Sequence, residues 1–301
     1  MVMEQLSSAD NRLYWIDTGM FNIPKFGAVY ILNAARKAVV EAATSLESDR
    51  VLDALDRLEI KQLDYIFITH IHLDHAGGAW VLAEKFPRAK VVVHERGAKH
   101  LADPSRLLVS VERAVGKMFH QYGTVKPISE AQLVTASGGE TFDLGGFLLE
   151  AIDTPGHAPH HLCFFEPHQR ILFTGDAVGI YDPNHNLLVP TTPPPGFNLE
   201  QSLDSLERLK DLNPKTLLYT HYGATNARML EAYADLLVNW VEAIEEAHRA
   251  LGDDGAVIRK LIDEDDLLSK LYDRTFTEEM LKTDVQGVLV YLSGRRRGRT
   301  G

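Results

Sequence analysis

The sequence predicts a layered α/β fold. Two observations lead there: short apolar runs of strand length alternate with amphipathic helical patterns, and polar loops rich in histidine and aspartate follow directly on several of those runs. The chain has 301 residues, 45% of them hydrophobic and 24% charged, which is enough apolar material for a substantial core.

In chain order, residues 13–16, 28–32 and 38–40 read as strands separated by Gly, Pro and Asn. A helix is expected from Ser48 as its N-cap, with Val51, Leu52, Leu55 and Leu58 on one face. It leads to a strand over 65–68, a histidine-rich loop, a helix over 79–86 and a strand over 89–94. Residues 97–122 form a helical insertion, its apolar stripe made by Leu101, Leu107, Leu108, Val111, Val115 and Phe119. Further strands follow over 147–151, 162–165, 171–174 and 216–219. The run Pro190-Thr191-Thr192-Pro193-Pro194-Pro195-Gly196 is too rich in proline for regular structure and reads as an exposed rim loop; Asn198 then caps a helix to about Leu212. From Ala227 onward the chain reads as helical and acidic, with residues 285–292 packing on the body or on a second copy, so that a homodimer through these helices is one expected assembly. The division is a domain over 1–225 and a helical extension over 226–301, whose basic cluster Arg295-Arg296-Arg297 with Arg299 is expected in a disordered tail over about 295–301.

Charge narrows the partners. With 42 acidic against 31 basic residues the net charge is −11, which repels a polyanion and argues against nucleic acid; a small-molecule substrate is expected instead. No apolar stretch approaches the roughly 20 residues that a membrane span needs. Residues 1–11 lack the order of a signal peptide, so the expected location is cytoplasmic and no membrane partner is expected. Cys163, the one cysteine, lies in the apolar run 162–165 and reads as a buried, inert thiol.

The polar loops carry the chemistry. His70, His72, Asp74 and His75 follow the strand at 65–68, Asp176 follows that at 171–174, and His221 follows that at 216–219; His157 follows the turn Thr154-Pro155-Gly156. In layered α/β proteins the ends of strands are where ligand sites collect, so four separated segments can converge on one place. Imidazole and carboxylate together suit divalent zinc, manganese or iron, and two ions roughly 3.5–4 Å apart call for a shared carboxylate, for which Asp176 is the natural bridge. In an extended loop His70 and His72 point the same way, while the adjacent Asp74 and His75 turn to a neighbouring position.

Thr69-His70-Ile71-His72-Leu73-Asp74-His75, continuing into Ala76-Gly77-Gly78, resembles the signature of the metallo-β-lactamase superfamily. The later members of that family's pattern are matched by His157 in Thr154-Pro155-Gly156-His157, Asp176 in Phe173-Thr174-Gly175-Asp176, and His221 in Tyr219-Thr220-His221. Over residues 10–225 the resemblance implies an αββα sandwich with metals at the edge of the sheets. It places His70, His72 and His157 on one metal and Asp74, His75 and His221 on the other, with Asp176 bridging. It implies two divalent ions per chain, zinc first and manganese or iron as alternatives. A water between them would lose its proton near neutral pH and attack an ester, lactone or thioester carbonyl, as in glyoxalase-II-like and lactonase-like relatives, with Asp74 passing a proton to the leaving group. The alternatives are a phosphodiesterase or phosphotriesterase on the same site, an iron-dependent oxidoreductase resembling persulfide dioxygenases, and a non-catalytic sensor.

His160, His161, Tyr181 and Tyr222 lie close to these motifs and are candidates for substrate contact or for support of the ligands. Asp17 in Ile16-Asp17-Thr18-Gly19 resembles a family element, and Glu41 stands where many relatives carry an Asp that supports a metal ligand.

Overall fold

The computed structural model describes residues 3–6, 12–264 and 274–299. Its strands form two large sheets. The first has seven strands in sequence order: β1 (Met3–Gln5), β2 (Leu13–Asp17), β3 (Ala28–Asn33), β4 (Lys37–Val40), β5 (Tyr65–Phe67), β6 (Lys90–His94) and β7 (Leu133–Ala136). It begins as an antiparallel meander and turns parallel from β4 onward. The parallel half needs crossovers, supplied by α1 (Ser48–Arg57), α3 (Ala79–Lys85) and α4 (Glu95–Ala102) with α5 (Ser105–Val115). The short α2 (Leu73–Ala76) falls between β5 and α3.

The second sheet has the order β15, β14, β11, β10, β9, β8, built from β8 (Thr141–Asp143), β9 (Leu148–Asp153), β10 (Leu162–Glu166), β11 (Ile171–Gly175), β14 (Thr216–Tyr219) and β15 (Gly223–Asn226). It is antiparallel except at β11 and β14, which run parallel because α6 (Leu199–Asp211) carries the chain across. A two-stranded ribbon of β12 (Ile180–Asp182) and β13 (Leu187–Val189) lies on that same crossover. The chain ends in α7 (Arg228–Leu251), α8 (Asp254–Glu264) and a C-terminal helix, Arg274–Arg299.

Side-chain parity shows how the layers are made. In β3, Ala28, Tyr30 and Leu32 face Phe164, Phe173 and Leu218 of the other sheet in a core between the two. The intervening Val29 and Ile31 join Val39, Ile66, Val91 and Val93 in a second core against Val51 and Leu55 of α1 and Leu82 of α3. Cys163, Leu172 and Leu217 point outward from the second sheet onto Leu206 of α6, Leu237 and Ile244 of α7, and Val285 and Val288 of the C-terminal helix. Strands buried on both faces explain the uninterrupted apolar runs 28–32, 162–165 and 171–173. The arrangement is the expected αββα sandwich with helical insertion and helical C-terminal extension.

Several details depart from the sequence reading. Ser48 is already the first residue of α1; Thr44 caps the preceding turn by accepting from the Leu46 amide. Asp74 and His75 lie in the helical turn α2 rather than in an extended loop, which sets their side chains at a different angle from His70 and His72. The segment 190–196 is not an exposed rim: Thr191 and Thr192 are buried, and of its residues only Pro195 is exposed. Residues 285–292 pack on the body. The arginine cluster at 295–297 continues the C-terminal helix, where a disordered tail was expected; positions 300–301 lie outside the described residues. Among the described residues no helix is long and apolar enough to cross a membrane.

Candidate metal centre

β5, β11 and β14 end side by side at one edge of the sandwich, and the loops after them bring His70, Asp176 and His221 together. The β9–β10 loop adds His157, and the start of α2 adds His72, Asp74 and His75. His70 Nε2 and His157 Nε2 lie 2.9 and 3.0 Å from His72 Nδ1. Next to this trio, His221 Nε2 is 3.3 Å from His75 Nε2 and 3.5 Å from Asp74 Oδ2. Asp176 spans both groups: its Oδ1 is 3.2 Å from His75 Nε2 and its Oδ2 is 3.6 Å from His157 Nε2. Ligands at roughly 2.0–2.1 Å around a tetrahedral ion stand about 3.4 Å from one another, so these separations fit metal coordination.

The outer hydrogen bonds decide what the inner nitrogens offer. His157 Nδ1 donates to the Thr191 carbonyl at 3.1 Å and His221 Nδ1 to the Phe26 carbonyl at 2.7 Å, and a carbonyl can only accept. His75 Nδ1 donates to Glu41 Oε1 at 3.1 Å. Thr69 gives its hydroxyl proton to Glu41 Oε1 at 2.6 Å, so its oxygen accepts from His70 Nδ1 at 3.0 Å. Each of these four rings therefore turns its other nitrogen inward, which offers a lone pair once any proton there is displaced. The Nε2 atoms of His75 and His221 face each other at 3.3 Å, an arrangement that calls for a positive charge between them, either a proton or a metal ion. The buried Asp176 Oδ1 likewise has no hydrogen-bond partner. Both features fit residues built to hold cations.

The electrostatics agree. Burial, reinforced by neighbouring histidines, holds His70 and His72 well below the usual imidazole range, and burial lowers His157 despite Asp176, so that trio is neutral and ready to ligate. At His75 burial opposes protonation, but Asp176, Glu41 and Asp74 outweigh it and hold the ring well above its ordinary range. Burial would raise the Asp74 carboxyl; His75 and His221 overcome it and bring the group down to about 2. Asp176 is likewise held well below the ordinary carboxylate range by His75, His157 and His221, against burial. Against burial, Asp176 and Asp74 raise His221 too, so in the metal-free site protons on His75 and His221 stand among the carboxylates where a metal cation would replace them.

Glu41 is in the left-handed backbone region, at φ 74°, and its Oε1 also accepts from Thr220 at 3.0 Å. The glutamate thus ties His75 to the threonines beside His70 and His221. Gly175, at φ 49°, lets the Asp176 amide approach His161: a Cβ there would run into His161 Nε2, which accepts from that amide at 3.0 Å. His161 itself is anchored through Nδ1 to Thr154 Oγ1 at 2.8 Å, so it supports the Asp176 backbone.

The other candidates divide. His160 packs its ring against His70 at 6.3 Å and His72 at 5.8 Å between centroids, and its Nδ1 is buried without a hydrogen-bond partner. Tyr181 and Tyr222 are not part of the cluster. The Tyr181 hydroxyl donates to Asn186 at 3.1 Å, and Tyr222 lies between the sheets with its hydroxyl on Glu4 at 3.2 Å. Asp17 caps the following loop by accepting from the Gly19 and Lys25 amides. Cys163 is buried, which pushes its thiol up to about 12. The sequence reading quoted Thr69 and Thr220 within the motifs and Thr191 within the proline run but gave none of them a role; their oxygens orient the ligands. Nor did it single out Tyr122, whose phenol is held proton-bearing by burial and then by the charge of Asp74.

The sequence profile of the Metallo-beta-lactamase superfamily matches residues 23–221. The chain belongs to that superfamily. All seven clustered residues lie within the matched stretch. Among its relatives is the Metallo-beta-lactamase fold-containing protein ST1585 of Sulfurisphaera tokodaii, 31% identical over 255 residues that make up 83% of this chain and 93% of the relative. The Probable metallo-hydrolase MJ0888 of Methanocaldococcus jannaschii is 26% identical over 69% of this chain and 93% of its own length. A Hydroxyacylglutathione hydrolase of Erythrobacter litoralis is 31% identical over 60% of this chain and 59% of that enzyme. The superfamily fold is shared with the crystal structure of the Sulfolobus tokodaii protein at a TM-score of 0.68 and 24% identity, over 92% of this chain and 97% of that one. It is shared also with a metallo-beta-lactamase family protein of Thermus thermophilus, TTHA1429, at a TM-score of 0.66 and 21% identity, over 90% and 89% of the two chains.

Proposed function

We propose that this member of the superfamily is a dinuclear metal-dependent hydrolase acting on an ester, lactone or thioester carbonyl. The observation that carries the reading is the pair of ligand groups facing the two oxygens of Asp176. His70, His72 and His157 would hold one ion, Asp74, His75 and His221 the other, with Asp176 bridging; zinc is the first choice for this donor set, then manganese or iron. Two relatives support hydrolysis by name, one a probable metallo-hydrolase and one a hydrolase of hydroxyacylglutathione, a thioester. Divalent cations bound there would supply Lewis acidity and bring the ionisation of a bound water close to neutral pH.

The chain's own residues set the rest of the reaction. The Asp74 side chain keeps 22% of its surface open and stays ionised, so it can accept a proton from the attacking water and return it to the leaving group. Burial, and then His157, bring the His160 ring down to about 4, leaving a neutral imidazole beside His72 to hydrogen-bond the substrate. Tyr122, which closes edge-on over Phe21 at 5.2 Å, supplies an apolar wall and a phenol on the Asp74 side. Phe26 packs on His221 at 4.8 Å and helps exclude bulk water.

A turnover panel of lactones, thioesters, aryl esters and phosphodiesters tests the proposal. Hydrolysis of a carbonyl substrate is expected, and Asp176→Ala should lower it roughly a thousandfold or more, since both ligand groups lose their shared carboxylate. Iron-dependent oxygen consumption without hydrolysis, or carbonyl hydrolysis undiminished in Asp176→Ala, contradicts it.

A further inference from the structure

The segment 190–195 poses a backbone problem. Four of its six residues are proline and have no N–H, so Thr191 and Thr192 are its only main-chain donors. Neither joins a sheet. Thr191 N donates to Tyr233 Oη of α7 at 3.3 Å, and Thr192 N donates to Asp284 Oδ1 of the C-terminal helix at 2.5 Å. The Thr192 hydroxyl donates to the Asp284 carbonyl at 2.9 Å and accepts from Trp240 Nε1 of α7 at 3.2 Å. Gly287, one turn beyond Asp284, lets the helix press against this segment: a Cβ there would collide with the Thr192 carbonyl. The position of the segment is therefore set by side chains of the C-terminal extension.

What the segment holds is part of the metal centre. The Thr191 carbonyl takes the Nδ1 proton of His157, and the Thr191 hydroxyl donates to the Asp176 carbonyl at 3.1 Å. We propose that Asp284 is a positioning residue for metal binding: by fixing Thr192 it sets the Thr191 carbonyl, which aims His157 at the ion shared with His70 and His72. The C-terminal helix is then a working part of the site, reaching the ligands through the segment 190–195. The inference rests on the dinuclear reading above.

The test is stepwise titration of the metal-free, full-length protein with cobalt(II) against a competing chelator, the two ions being distinguished by their visible spectra. Wild type should take up two ions. Asp284→Ala should weaken the three-histidine ion roughly tenfold, the range for loss of an outer partner of a ligand, and leave the other within about threefold. Asp284→Asn, whose amide oxygen still accepts from Thr192, should restore it. If Asp284→Ala does not fold, Thr192→Val, which keeps the side-chain volume but loses the hydroxyl, should show the same one-sided loss. Equal weakening of both ions marks a general loss of stability and overturns the inference. Two ions held as tightly as in wild type by Asp284→Ala also overturn it, and leave the dinuclear reading standing. A wild type that takes up no ion overturns both.

Discussion

Glu41 carries more of the centre than its distance from the substrate side suggests. One carboxylate oxygen receives the Thr69 hydroxyl, the His75 ring and the Thr220 hydroxyl, and the backbone accepts a left-handed conformation to place it there. Left-handed geometry costs a residue with a Cβ roughly 1–2 kcal/mol, a cost that persists where the surroundings fix the residue in place. Glu41→Gln keeps the size but loses the charge and must turn a donor toward at least one donor, so metal affinity measured by chelator competition should fall about 10- to 100-fold. An unchanged affinity would show that the His75 tautomer is set elsewhere. His160 offers a contrasting case. It lies against the ligand rings but has no inward partner of its own, so His160→Ala should lower kcat/KM roughly tenfold while metal content stays at the wild-type value. Loss of metal in that variant would make His160 a structural neighbour of the ligands instead of a substrate contact. The ligands themselves were legible in the sequence because each follows an apolar run or a Pro-Gly turn, and strand ends at one sheet edge meet in space. The supporting threonines were not, because a carbonyl or hydroxyl contact leaves no periodicity, and the proximity of Tyr181 and Tyr222 along the chain said nothing about their side chains, which reach Asn186 and Glu4 instead.

At the level of elements, the strands buried on both faces and the helices with apolar stripes were read correctly because burial dictates their composition. The short edge strands β1, β7, β8 and β15 and the ribbon β12–β13 escaped notice, since three or four residues are too few to show a long apolar run or a clear alternation. The proline segment was misplaced for a different reason: its burial depends on partners about 40 to 90 residues away, at Tyr233, Trp240 and Asp284. That burial has a pH consequence. Desolvation pushes the Asp284 carboxyl up to about 7, with Asp176 adding to the rise and the bonds from Thr192 opposing it; the nearby Tyr233 phenol in turn senses the Asp284 charge. In an unfolded chain the same group titrates near about 3.9. The folded state therefore binds this proton more tightly. The stabilisation is fully present below about pH 4 and is lost as the pH rises through about 7. Thermal denaturation of the metal-free protein should show wild type losing stability relative to Asp284→Asn between about pH 4 and pH 7, and a constant difference across that range would contradict the placement of Asp284.

For the whole molecule, the ligands come from both sheets, so a bound ion would tie one half of the sandwich to the other: His70, His72 and His75 follow β5 of the first sheet, while His157, Asp176 and His221 follow strands of the second. Ions that bind the folded chain alone stabilise it in proportion to the logarithm of their excess over the dissociation constant. Removal of metal by a chelator should lower the melting temperature by several degrees, and adding back zinc should restore it. The central claim is that two sets of inward-facing ligand atoms, joined by Asp176, exist to hold a pair of cations. Elemental analysis of protein purified without chelator tests it most directly: about two divalent ions per chain are expected. Protein that carries none, and takes up none from a zinc, manganese or iron solution, would contradict the account.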